Sequence, residues 1–125
     1  MKITLNILIA LIGLFCTVAW GSLIFMPEMA EESFLLAPDG AGGLSNIRSD
    51  IGTLFFSSAL GCFLGLRAIS RQWLLVPAVV MGGAALGRVI SIAAEGMSAT
   101  STIGLVVEVI IVLILAFAYR HKTSE

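Results

Sequence analysis

Arg48, Asp50, Arg88, Glu95 and Glu108 are the residues of this chain whose types and positions could do chemistry, because each lies on or between apolar runs able to cross a membrane. An ionisable side chain at that depth is costly and is functional by default. On the third apolar run Arg88, Ser91 and Glu95 fall at i, i+3 and i+7, which places them on one helical face as a polar strip. At about 1.5 Å per residue, Arg88 lies roughly 22 Å along that run from Trp73, and Glu108 only about 7 to 8 Å below the start of the fourth run. Their depths match. If the second helix begins a turn before its apolar run, Asn46, Asp50, Thr53 and Ser57 share a face that Gly61 continues inward. Arg88 with Glu108 or Glu95, and Arg48 with a neighbouring acid, could then neutralise each other and keep their hydrogen bonds. The expectation is a buried arginine and carboxylate network at the outer mouth of the helices, formed from Asn46, Arg48, Asp50, Arg88, Ser91, Glu95 and Glu108. Three roles stay open for it: fixing helix register, holding a small or lipid headgroup ligand, and handling protons or ions through Glu108 and Glu95.

Elements that would position these groups follow from composition. The chain has 125 residues, 58% of them apolar and 12% charged, with a mean hydropathy of +1.06. That is far above a soluble domain, and four spans of about 20 residues would use most of the length. The fold class expected is all-α, an integral membrane four-helix bundle forming a single transmembrane domain over 1–125. Its spans are predicted at about 3–26, 51–69, 73–94 and 103–119, with an external loop over 27–50. The first run exceeds a secretory h-region and lacks a small-x-small cleavage site, so it reads as a retained helix and not a signal peptide. Pro77 falls in the first turns of the third span, where its missing N–H costs least.

Lys2, Arg67, Arg71, Arg120 and Lys122 flank helix ends that an even number of crossings puts on one side. The positive-inside rule makes that side cytoplasmic, so both termini are expected inside, with the chain in a bacterial inner membrane. The long connection carries Glu28, Glu31, Glu32 and Asp39 with no basic residue before Arg48 and reads as external. Within it, Phe34, Leu35 and Leu36 suit either a short amphipathic turn at the interface or a plain loop. Gly40 to Gly43 lack the strand and the Lys-Ser/Thr that a phosphate loop needs.

Other function classes find little support. A formal net charge of -1 with no basic stripe argues against nucleic acid. Cys16 and Cys62 fall inside apolar runs and suggest neither a disulfide framework nor a metal site, and His121 has no ligand spacing. No cofactor fingerprint and no nucleophile and base pair occur, so no catalytic residue is assigned. Trp20, Trp73 and Tyr119 fall near helix ends, where aromatic belts are expected. Small residues recur at helical spacing, Gly13, Thr17 and Gly21, then Ser57, Gly61 and Gly65, then Gly83 and Gly87. Such ridges let helices approach, within one chain, in a homo-oligomer or in a larger membrane complex.

At Asn46-Ile47-Arg48, Gly52, Gly82-Gly83, Leu86-Gly87-Arg88 and Glu108, the chain resembles a family of small bacterial four-helix membrane proteins catalogued as domain of unknown function 4345. The likeness runs from about Gly21 to Tyr119. It implies a four-helix fold and marks Arg48, Arg88 and Glu108 as the family's polar positions, but it supplies no settled activity. Members often carry an acid two positions before the first arginine, where this chain has Asn46. The leading expectation is a non-enzymatic membrane protein, an accessory or small-ligand or lipid-binding bundle with its polar network near the periplasmic face. The alternative is a membrane enzyme or proton-coupled carrier for a lipophilic substrate, with Glu95 or Glu108 as acid or base.

Overall fold

A computed structural model describes residues 1–67 and 70–122. Ala68 and Ile69, the last two residues of the predicted second span, lie outside the described residues. The described chain is helical and contains no strand. Its helices are α1 (Lys2–Phe25), α2 (Ala30–Phe34), α3 (Gly40–Asn46), α4 (Gly52–Leu66), α5 (Leu75–Glu95) and α6 (Ala99–His121). Four helical stretches are long and apolar enough to cross a membrane: Lys2–Phe25, Gly40–Leu66, Arg71–Glu95 and Ala99–His121.

Local chemistry sets the element ends. Pro27, which has no N–H to continue α1, opens a 3₁₀ turn over Pro27–Met29. Helix resumes at Gly40, well before the apolar run, and passes through a π-helical turn at Ile47–Ile51 into α4. The Ser70 side chain accepts from the Gln72 N–H and starts a 3₁₀ turn over Arg71–Leu74, so Pro77 falls in the first turn of α5 and the helix runs unbroken to Glu95. Gly96, at φ +96°, ends α5 in a conformation that favours glycine. Ser98 accepts from the Ser101 N–H at 3.1 Å and caps α6, which therefore begins four residues before its predicted start at 103.

The helices run up and down, with Met1 and His121 at one end, here the proximal end, and residues 27–50 and the Gly96–Ser98 turn at the other, the distal end. They pack as two pairs, α1 along α4 and α5 along α6. The pairs join at the proximal half, where Ile9, Cys16, Cys62, Leu74, Met81 and Leu115 belong to one core. Close approach there requires missing side chains: a Cβ on Gly61 would stand 2.6 Å from Pro77 Cδ and 2.8 Å from the Trp73 carbonyl oxygen. Gly65 lies equally tight on Leu74, and Gly13 faces Cys62 and Phe63. The distal half has only a small cluster, Leu23, Ala30 and Ile47, with Phe34 and Leu36 folded onto it. Phe34 and Leu36 thus pack inward, while Leu35 between them stands exposed at φ 55°.

Outward-facing apolar side chains such as Ile7, Leu14, Val18, Leu86 and Ile110 suit contact with lipid tails. Packing, and not hydrophobicity, must then hold the helices together. Gly61→Ala should accordingly lower the unfolding stability in detergent by roughly 1–3 kcal/mol through overpacking. Gly82→Ala, where a Cβ meets nothing within 4 Å, should leave it unchanged or raise it by up to about 1 kcal/mol. Equal losses at the two positions would refute the packing account.

Candidate functional site

The α5–α6 hairpin brings Arg88 and Glu108 to one level. Arg88 stands eight residues before Gly96 and Glu108 ten after Ser98, roughly 12 and 15 Å from the distal turn at the helical rise. Arg88 Nε donates to both carboxylate oxygens of Glu108, at 2.9 and 3.0 Å. The carboxylate is nearly buried, with its side chain 12% exposed, whereas the arginine side chain keeps 37%. A fixed charge in a medium of low dielectric needs such a partner, since leaving either group alone would cost several kcal/mol, on the order given for buried ions.

Gly104 makes the geometry possible. It lies one turn before Glu108 on the same face of α6, and a Cβ there would stand 2.6 Å from Arg88 Nε and 2.8 Å from Nη2. The guanidinium therefore lies against bare α6 backbone. Any larger residue would push it off the helix.

Beside the pair the two helix pairs separate around a cavity of about 490 Å³. Its wall takes Phe15 from α1, Phe34 from α2, Phe55 from α4, Met81 and Arg88 from α5 and Glu108 from α6. The aromatic side interlocks, Phe55 meeting Phe15 edge-on at 6.4 Å and Phe34 at 5.5 Å between ring centroids. Among the described residues, Arg88 and Glu108 are the only charged ones in that wall.

Of the seven residues expected at the site, the structure brings together these two. Arg48 sits on the π-helical turn and donates from Nε to the Ile24 carbonyl at 3.0 Å, so it satisfies an otherwise free carbonyl in the last turn of α1. Asp50 is exposed and accepts from its neighbour Ser49 at 3.3 Å. Asn46, Ser91 and Glu95 are also exposed. Glu95 makes no ion pair among the described residues, because α5 turns the Arg88 edge of its polar strip toward α6 and leaves the Glu95 end at the distal surface. Thr53 bonds back to the Ser49 carbonyl and Ser57 to that of Leu54, so neither reaches across to α5.

Sequence reasoning passed over Gly104 and the three phenylalanines. Gly104 had a usable signal, its four-residue spacing from Glu108. Phe15 and Phe55 had none, since an aromatic residue in an apolar span reads equally well as lipid-facing, and Phe34 was legible only as part of a turn in the connection over 27–50. Cys16 and Cys62 are free thiols buried in the core, and no group of side chains that could hold a metal occurs among the described residues.

The family model described as "Domain of unknown function (DUF4345)" matches residues 4–119, which takes in most or all of each of the four long helices and both members of the ion pair. The chain belongs to that family. The resemblance drawn from the Asn46-Ile47-Arg48 and Gly87-Arg88 segments and from Glu108 is thereby borne out. No curated protein and no solved structure matches this DUF4345 chain.

In this DUF4345 protein, Arg88→Met and Glu108→Gln should each reduce stability in detergent by roughly 1–3 kcal/mol, and the double variant by clearly less than their sum. Gly104→Ala should reproduce part of the Arg88→Met loss. Strictly additive losses in the cycle would show that the two side chains do not act as a pair.

Proposed function

We propose that this chain is a non-enzymatic, multi-pass protein of the bacterial inner membrane that binds a small lipophilic or lipid ligand in the cavity beside Arg88 and Glu108. The observation that carries this reading is the hollow itself. It is an open-sided cleft, with Leu54, Val79 and Val107 of its rim exposed. Its volume of about 490 Å³ falls within the usual range of ligand sites, which are mostly apolar with a few converging polar groups. An ion pair that served only to fix helix register would be enclosed by packed side chains on every side. Here the arginine forms part of an apolar hollow.

Charge distribution supplies the orientation. Lys2, Arg67, Arg71, Arg120 and Lys122 gather at the proximal end, which the positive-inside rule assigns to the cytoplasm. The cavity then lies in the outer half of the bilayer and the connection over 27–50 faces the periplasm. The whole of 1–125 acts as one transmembrane domain in this reading. The face of α5 around Gly82 and Gly87, where no neighbour lies within reach of an added Cβ, would be covered by lipid or by an adjoining subunit. No observation favours the carrier or enzyme alternative, since both oxygens of Glu108 are held by Arg88 and Glu95 is exposed at the distal surface.

Gly83 lines the cavity and has nothing within 4 Å of a Cβ, so Gly83→Phe should fill the space without disturbing the helices. Native mass spectrometry of protein released from its own membrane should show a lipophilic adduct on the wild type and none on that variant. The unfolding stability of the two should agree to within about 1.5 kcal/mol, as a tolerated change of volume allows. A wild type that carries no adduct, or a variant that keeps it, would defeat the proposal.

A further inference from the structure

We infer that the ligand of this cavity is a neutral lipophile bearing a hydrogen-bond-accepting oxygen, of the ketone, quinone or ester type, with that oxygen held by the free N–H fork of Arg88. The inference rests on the reading of the cavity as a ligand site and asks what chemistry its wall selects. Arginine carries five N–H donors. Only Nε is engaged, by the two oxygens of Glu108, and Nη1 and Nη2 make no hydrogen bond among the described residues. Arg88 and the bare Gly104 beneath it both belong to the cavity wall. Unmet donors at membrane depth are costly where no water can reach them. A purely hydrocarbon occupant would leave them unmet, and an oxygen acceptor would satisfy them.

Charge decides the rest. Arg88 and Glu108 already neutralise each other, so an anionic head would leave one uncompensated negative charge in the hollow. A cationic head would face the guanidinium directly. Either outcome carries the penalty of an unpaired buried ion, and a neutral acceptor carries neither. The remaining wall, with Phe15, Phe34 and Phe55 on one side and Met81 and Ile111 on the other, suits an apolar body of some length. One polar fork at one wall and hydrocarbon elsewhere describe an amphiphile with a single oxygen-bearing end.

The test compares three probes of equal chain length, a long-chain methyl ketone, the alkane and the fatty acid carboxylate, each at the same mole fraction in detergent micelles. Binding is read from the rise in unfolding midpoint with probe concentration. The ketone should bind the wild type roughly tenfold or more tightly than the alkane, the advantage of a hydrogen bond to a charged donor. It should also bind more tightly than the carboxylate. Arg88→Lys retains a positive charge opposite Glu108 and withdraws the fork, so it should bring ketone and alkane to within about twofold. Equal binding of ketone and alkane by the wild type, tighter binding of the carboxylate, or a ketone preference that survives Arg88→Lys would overturn the inference. In those cases loss of all binding in Gly83→Phe would leave the cavity itself standing as a ligand site. If no probe stabilises the wild type, the cavity reading fails and takes this inference with it. The wild-type comparison decides the matter even if the lysine variant fails to fold.

Discussion

Hydrocarbon offers no hydrogen-bond partner, so every polar group that this chain carries into a membrane must find one within the chain. Helices meet that demand along their length but leave the first four N–H groups and the last four carbonyls unpaired. Here three of the long helices solve the problem in the same way, with a cationic side chain reaching over from another segment. Arg48 donates to Ile24 at the end of α1, Lys122 to Gly65 at the end of α4, and Arg71 to Tyr119 at the end of α6. Arg71 also lies 4.5 Å above the Tyr119 ring. Each contact places positive charge at the negative end of a helix dipole. Arg71 and Lys122 therefore contribute twice, to the cluster of positive charge at the proximal end and to the joining of separate helices. Arg88 obeys the same demand, with a carboxylate as its partner. The buried hydroxyl of Ser58 has no partner among the described residues.

Glycine placement divides the molecule lengthwise. Gly61 and Gly65 let α4 press against the start of α5, with Pro77 and Leu74 filling the space where side chains would stand. Farther along α5, Gly82, Gly83 and Gly87 have no such neighbours, and α5 is the least buried of the four long helices. The same residue type thus closes the proximal half and leaves the distal half open. The aromatic side chains of α1, α2 and α4 line the resulting gap from one side, and the ion pair anchors the other.

Much of the fold was legible in the sequence, because spanning length and apolar runs are set by bilayer thickness and helical rise alone. The match in depth between Arg88 and Glu108 followed from the same rise and needed no tertiary information. The polar face proposed for the second span was not legible. The π-helical turn at Ile47–Ile51 adds a residue to one turn, and this rotates Asn46 and Arg48 relative to Thr53 and Ser57. The partner of Arg48 is a backbone carbonyl, which no side-chain pattern encodes. The small-residue ridges were readable as surfaces of close approach, but whether a neighbour occupies each one depends on how the pairs splay. Gly13, Gly61 and Gly65 have neighbours there, and Gly83 and Gly87 do not.

Because the interlocked core lies in the proximal half and the hollow in the distal half, the molecule is mechanically uneven along its axis. The closely packed half has side chains that hardly compress, whereas the half that holds the hollow keeps unfilled room beside the arginine, and the Gly61–Pro77 contact belongs to the filled half.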